Sequence, residues 1–261
     1  MSPARTPSWE EGREAGLPYR VTGEGQPVLF LHGAGGVRLT AGLDELAQRF
    51  RVYLPTLPGY DGTPTMPGVT SMQELAHLVH GFAKTAIGPT YDVIGFSFGG
   101  WLASWLAVLH PESVQQLALV APAGFRPEGQ GGLNFPHEEL QRRLFAYPER
   151  ATGDDKSPEM VLRNREMAIY YHGRVDSDAE LIDRLGEIQC LTLIVQGTRD
   201  GVIPAESGRL LRRRIRSSYL AYLFDAAHMI DSDQPARLAG LLEEFFTRGE
   251  AFIINWSDSA A

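Results

Sequence analysis

A serine hydroxyl becomes a useful nucleophile when the backbone lifts it clear of its neighbours and a base stands beside it. Gly95-Phe96-Ser97-Phe98-Gly99 meets the first condition by its form. The apolar run 91–94 before it reads as a buried strand, and the segment beyond Gly100 reads as a helix. Ser97 therefore stands on a sharp strand–turn–helix corner, the setting of a nucleophile elbow. Side chains at the two flanking positions would meet the adjoining elements, so glycine is required at both Gly95 and Gly99. The helix N-terminus that follows favours negative charge developing near the hydroxyl. The plainer reading of the same pentapeptide is a tight strand–helix turn with no chemistry.

The base must come from seven histidines: His32, His77, His80, His110, His137, His172 and His228. His228 fits best, because it follows the apolar strand 219–224 through Asp225-Ala226-Ala227 and precedes the last helix. His77 and His80 fall on a helix and read as surface or satisfied side chains. His110 ends a helix beside Pro111. His137 and His172 fall in a helical stretch where they read as structural first and substrate-facing second. His32 ends a strand and reads as a support for the adjacent loop. A histidine base needs a carboxylate to hold its tautomer and stabilise the imidazolium. Asp200, just past the strand 191–195, stands at the end of a sheet strand where sites form. Asp225, Asp231 and Asp233 are the alternatives, Asp225 first among them. Two backbone N–H donors must then face the oxyanion. Phe98 offers one at the helix start. The loop His32-Gly33-Ala34-Gly35-Gly36 offers the other at Ala34, because its glycines let backbone approach a ligand closely. A phosphate cradle is the rival reading of this loop, but no Lys-Ser/Thr pair follows it and the dinucleotide glycine spacing is missing. Gly33, Trp101, Tyr170, Tyr171 and Met229 are the expected pocket lining.

These residues need a frame that brings strand ends together. Short apolar runs at 27–33, 52–54, 91–95, 114–120, 191–195 and 218–224 alternate with amphipathic stretches at 43–50, 71–86, 101–109, 205–216 and 234–246. Ser71 and Glu74 have the spacing of a capping box. The alternation predicts an α/β fold, a mostly parallel central sheet with helices on both faces. Between 123 and about 185 no strand is expected. A Gly- and Pro-rich start at 125–136 leads there into helical stretches at 137–145, 158–171 and 178–185. The expected organisation is a discontinuous sheet core at 17–122 and 189–249, a small helical cap insert at 123–188, and terminal extensions at 1–16 and 250–261.

Composition narrows the classes. At ~150 residues per domain, 261 residues give about 1.7 domains, which suits one sheet domain split around an insert. Hydrophobic residues make up 43% and charged residues 21%, which excludes a disordered chain. Cys190 is the single cysteine, so a disulfide within the chain and a Cys-rich zinc site are both excluded. With 24 Lys+Arg against 32 Asp+Glu the net charge is −8, a poor match for nucleic acid or an anionic membrane. The polar start of the chain has no signal-like apolar run, and the longest apolar stretch, 101–109, is far short of ~18 residues. A cytoplasmic protein without cofactor or metal is expected, acting on a small-molecule substrate, with room for a homo-oligomer.

Leu31-His32-Gly33-Ala34-Gly35-Gly36, Gly95-Phe96-Ser97-Phe98-Gly99-Gly100, Gln196-Gly197-Thr198-Arg199-Asp200 and Ala227-His228, in this order, together resemble the α/β-hydrolase superfamily. The resemblance covers about 19–246. It is nearest the branch with meta-cleavage product C–C hydrolases, small-ester esterases and cofactor-free perhydrolases. It implies Ser97 as nucleophile, Asp200 as acid, His228 as base, and the Ala34 and Phe98 amides as oxyanion hole. Dehalogenases and epoxide hydrolases of this fold use an aspartate nucleophile, and Ser97 argues against both. Ala34 and Phe96 stand where the C–C hydrolases usually carry serine and asparagine. The expected activity is acyl transfer from a small, apolar or aromatic carboxylic ester. C–C hydrolysis and perhydrolysis are the alternatives on the same residues, and a non-catalytic small-ligand receptor is the alternative of another class.

Overall fold

A computed structural model describes residues 8–127, 137–151 and 156–252. The outer parts of the expected terminal extensions, most of the Gly- and Pro-rich start of the insert, and the side chain of His137 lie outside the described residues. The strands are β1 (Glu10–Glu14), β2 (Leu17–Thr22), β3 (Gln26–Leu31), β4 (Phe50–Pro55), β5 (Tyr91–Phe96), β6 (Val114–Val120), β7 (Leu191–Gly197) and β8 (Ser218–Leu223). The helices are α1 (Ala41–Ala47), α2 (Met72–Ala86), α3 (Phe98–Leu109), α4 (His137–Leu144), α5 (Pro158–His172), α6 (Ala179–Arg184), α7 (Ala205–Arg214), α8 (Ile230–Asp233) and α9 (Pro235–Arg248).

The strands form one sheet in the order β1-β2-β4-β3-β5-β6-β7-β8. β2 runs antiparallel to β1 and β4, and all other neighbours are parallel. This is the expected α/β-hydrolase architecture, a mostly parallel sheet with helices on both faces. Period-two alternation assigns the faces. Val93, Leu117, Leu119 and Ile194 pack into the core that holds α2 and α3. Ile94, Ala118, Val120, Leu193 and Val195 pack into the core that holds α1 and α9. Every residue of β5 is buried, which is why its sequence is nearly continuous apolar. From β3 the chain turns to β4 on one side, and β5 returns on the other. The C-terminal ends of β3 and β5 therefore bound a topological switch point, the natural crevice of an open parallel sheet.

The expected strands and helices of the core are present within a few residues, and the capping box is formed. Glu74 N donates to Ser71 Oγ at 3.2 Å, and Ser71 N donates to Glu74 Oε2 at 3.1 Å. The structure differs at the start of the chain. Residues 10–14, expected in a terminal extension, form β1 and pair with β2 across Ala15-Gly16. The sequence Glu-Glu-Gly-Arg-Glu has no apolar alternation because no residue of β1 is buried, so backbone pairing alone makes it a strand.

α4, α5 and α6 all lie between β6 and β7, where the insert is expected. α6 is rooted directly on the helix behind Ser97. Trp101 and Trp105, one turn apart on α3, each donate an indole N–H to Asp178 Oδ2 at 2.8 Å. The other carboxylate oxygen accepts from Leu181 N at 3.0 Å and caps α6. Asp178→Ala removes the acceptor of two indoles and a helix cap together. The expected loss is on the order of 3 kcal/mol, read by urea unfolding, with Asp178→Asn intermediate.

Candidate active site

Ser97 occupies the turn between β5 and α3 with φ 53° and ψ −113°. α3 begins at Phe98, three residues earlier than its apolar spacing suggests, so the Phe98 N–H is at the first helical position. A Cβ on Gly99 would land on the Leu31 carbonyl oxygen at the end of β3, and one on Gly95 would land on the Gly99 carbonyl oxygen. Both glycines of the pentapeptide are therefore demanded by close backbone approach. Ser97 N donates to Val120 O at 2.9 Å, which ties the turn to the end of β6.

The structure brings Ser97, His228 and Asp200 together. His228 Nε2 lies 3.0 Å from Ser97 Oγ, and His228 Nδ1 lies 3.0 Å from Asp200 Oδ2. The His228 and Asp200 side chains are 4% and 2% exposed, so water is excluded from this pair. Asp200 Oδ1 accepts from Val202 N and Ile203 N, both at 2.8 Å, which aims the other oxygen at the ring. With Nδ1–H given to the carboxylate, the Nε2 lone pair faces the serine and can take its proton. The alternative carboxylates are committed elsewhere. Asp225 is exposed, with its amide on Thr198 Oγ1. Asp231 is buried and accepts from Thr40 Oγ1 at 2.7 Å, and burial pushes its carboxyl above the usual range. Asp233 accepts from the amides of Ala146, Tyr147 and Ala227.

His32 organises the loop after β3. Its Nδ1 lies 2.9 Å from Gly33 O, and Leu57 N donates to its Nε2 at 3.3 Å. One ring nitrogen must donate and the other accept, so the ring is held neutral. Burial lowers its pKa to about 4, against the favourable pull of the Gly33 carbonyl. Gly33 stands against Phe96 and the Ser97 Cβ. The N–H groups of Ala34 and Phe98 meet no acceptor among the described residues.

Sequence reasoning missed the polar network beyond this loop. Asn164, fully buried on α5, donates to Gly35 O and to Asp61 Oδ1, both at 2.7 Å, and accepts from Asp61 N at 2.8 Å. Asp61 Oδ2 accepts from Val37 N at 2.8 Å, and Lys156 Nζ lies 2.9 Å from Asp61 Oδ1. Burial alone would raise the Asp61 carboxyl, but Lys156 and the two amide donors outweigh it and hold it below its ordinary value. Gly36 has φ 85°, and any side chain there would collide with Asn164 and Asp61. One signal was available for Asn164. It shares a buried stripe with Ala168 and Tyr171, a polar residue where the helix period calls for an apolar one.

The expected pocket residues divide. Tyr171 is buried, donates to Pro58 O at 3.0 Å, and places its ring 6.5 Å from that of Phe98. Trp101 is 2% exposed, held by Asp178 on its indole N–H and stacked on the His172 ring at 5.0 Å. Met229 is buried, and its amide donates to Leu144 O at 2.8 Å. Tyr170 differs from expectation: it is 46% exposed. Adjacent residues on a helix point about 100° apart, so the turn that buries Tyr171 sends Tyr170 to solvent. His172 takes its place near Phe98, 6.4 Å between ring centroids, and its buried Nδ1 has no hydrogen-bond partner among the described residues. A cavity of about 320 Å³ lies beside the polar network, bordered by Pro18, Arg20, Val37, Asp61 and Lys156.

Residues 28–241 match the model of the alpha/beta hydrolase family. The chain belongs to this family. The matched span takes in the loop after β3, Ser97, Asp200 and His228, and leaves β1 and β2 outside. The chain is 28% identical to a pimeloyl-[acyl-carrier protein] methyl ester esterase of Chromobacterium violaceum, over 79% of this chain and 88% of that one. It is 27% identical to a 2-hydroxymuconate semialdehyde hydrolase of a Pseudomonas species, over 94% and 97%. In fold it is similar to a meta-cleavage product hydrolase from Pseudomonas fluorescens, with a TM-score of 0.75 and 22% identity over 92% of this chain and 97% of that one. No helix among the described residues of this alpha/beta hydrolase is long and apolar enough to cross a membrane.

The neutral His32 gives this alpha/beta hydrolase an acid-sensitive support. The unfolded chain binds a proton at His32 below about 6.5, whereas the folded chain resists until about 4. Stability from this group is therefore complete above 6.5 and lost as pH falls towards 4, by on the order of 3 kcal/mol. Asp92, raised to about 6 by burial, works in the opposite direction over much of the same range. The difference between wild type and His32→Gln isolates the histidine. His32→Gln is expected to melt lower at pH 7 but to lose less stability than wild type between pH 6.5 and 4, measured by melting temperature against pH.

Proposed function

We propose that the chain is a serine hydrolase that cleaves a small, apolar or aromatic carboxylic ester through an acyl-enzyme. The carrying observation is the hydrogen-bonded line from Ser97 Oγ through His228 to Asp200, each link 3.0 Å. In this reading Ser97 Oγ attacks the ester carbonyl while His228 Nε2 takes its proton. The carbonyl oxygen gathers negative charge against the Ala34 and Phe98 amides, whose N–H groups are free to donate. The C–O bond then breaks, and His228 passes the proton to the leaving alcohol. Water attacks the acyl-enzyme with the same histidine as base, releasing the acid and restoring the serine. Asp200 keeps Nδ1 protonated throughout and balances the imidazolium.

The side chains around Ser97 support an apolar substrate. Phe96 lies against Gly33 and Ser97 with its ring 5.2 Å from that of His228, and Phe98, next to Ser97 in the chain, has the Tyr171 ring 6.5 Å away; these aromatic surroundings suit an apolar acyl group. Residues 123–188 act in this reading as the cap, and 17–122 with 189–249 as the core that carries the chemistry. C–C hydrolysis is the second reading, favoured by the likeness to a 2-hydroxymuconate semialdehyde hydrolase.

Ser97→Ala is expected to lower turnover of aryl esters by roughly 10⁴-fold or more. Its melting temperature should stay close to that of wild type, and a fluorophosphonate should label wild type alone. Absence of both turnover and labelling in wild type would sink the hydrolase reading in favour of a binding protein. Faster cleavage of a dienoate ketone than of any aryl ester would instead select the C–C reading.

A further inference from the structure

A cluster of imidazoles lies at the other end of β5, roughly 20 Å from Ser97 at ~3.3 Å per strand residue. His77 and His80 stand three residues apart on one face of α2. His110 caps the C-terminus of α3, and Glu112 sits in the turn that leads into β6. His77 Nδ1 lies 2.9 Å from His110 Nε2, and the rings of His80 and His110 stack at 3.7 Å with an interplanar angle of 7°. His80 Nδ1 lies 3.0 Å from Tyr91 Oη, and His110 Nδ1 lies 3.8 Å from Glu112 Oε1. One ligand atom each from His80, His110 and Glu112 falls within 4.8 Å of the others.

We propose that His80, His110 and Glu112 form a binding site for a divalent transition-metal ion, with His77 and Tyr91 as positioning partners. A hydrogen bond between two imidazole nitrogens requires one of them to be a bare lone pair, so this contact does not hold two protonated rings. A bound ion selects the tautomers in which His80 Nδ1–H donates to Tyr91 Oη and His110 Nε2–H donates to His77 Nδ1. Those tautomers leave His80 Nε2 and His110 Nδ1 as lone-pair donors beside the Glu112 carboxylate. Metal-bound imidazoles typically give their other N–H to such a partner, which fixes ring orientation and raises ligand basicity. Two neutral imidazoles and one carboxylate match the ligand preference of Zn²⁺ with solvent completing the shell. Lone pairs lie in the ring plane, so binding must open the parallel stack by turning one ring. His110 and His80 are partly exposed and Glu112 exposed, which leaves room for that rotation. Lys84, one turn along α2 from His80, is the opposing charge.

The test is calorimetric titration of the full chain with ZnCl₂ in a non-chelating buffer, with Co²⁺ visible spectra alongside. One ion per chain at micromolar concentration is expected. His80→Asn, His110→Asn and Glu112→Gln should each weaken binding roughly tenfold or more, and His77→Ala by about tenfold. Glu112 is exposed, so its variant keeps the fold, and melting temperatures in EDTA check the others. His228→Asn should bind as wild type does, which separates this site from the histidine beside Ser97. Failure of wild type to bind at micromolar Zn²⁺, retention of binding in the His80/His110 double variant, or loss of binding in His228→Asn would each overturn the proposal.

Discussion

Ser97 holds a backbone conformation, φ 53° with ψ −113°, that costs an L-residue about 1–3 kcal/mol, and the surrounding elements are arranged so that it has no alternative. β5 delivers it, and α3 departs from it so tightly that only glycine fits at either flank. Its amide is bonded to the end of β6. Its carbonyl accepts from Gly100 N, Trp101 N and Ala123 N, at 2.9, 3.2 and 3.0 Å. The last of these ties the start of the segment between β6 and β7 to the turn itself. A small movement at Ser97 would therefore have to move β5, α3 and the start of the insert together, which is how a strained turn is kept in a single state.

The insert reaches every loop that meets at Ser97. α4 places Arg143 on Gly201 O at 3.0 Å, beside the loop that carries Asp200. Leu144 O takes the amide of Met229, next to His228, and Asp233 gathers the amides of Ala146 and Tyr147 from the insert with that of Ala227 before His228. α5 holds the loop after β3 through Asn164, and Lys156, just ahead of α5, donates to Gly35 O in the same loop at 3.1 Å. The same helices that would shape a substrate cavity thus hold the three loops in register. If the proposed acyl transfer holds, substitutions in them are expected to act on rate as well as on substrate choice, because a displaced loop would misalign Ser97, His228 and Asp200.

The parts of this arrangement legible in the sequence were those with a local signature. Buried parallel strands read as continuous apolar runs, Ser71 and Glu74 carry their spacing openly, and the Gly95–Gly99 pentapeptide declares a tight corner by its own composition. Asp200 and His228 were legible at one remove, through their place just past strands that a parallel sheet must align. β1 was not legible, since a strand with no buried residue has no alternation to read. Tyr170 was misplaced for the related reason that helical phase within 158–172 cannot be set when the stripe contains a buried asparagine.

Asn164 shows why the polar network was the hardest part to see. Its three partners, Gly35, Asp61 and the Asp61 amide, lie more than a hundred residues away in the chain. Within α5 the one local signal is a polar residue on the stripe of Ala168 and Tyr171, and that signal names none of its partners. Its burial becomes favourable only when Asp61, itself at φ 51°, and the loop at Gly36 are already in place, since a buried amide without partners is penalised. The network is therefore a consequence of the fold's closure rather than a cause of any one element. For that reason it can specify how the insert docks while leaving almost no trace in local pattern.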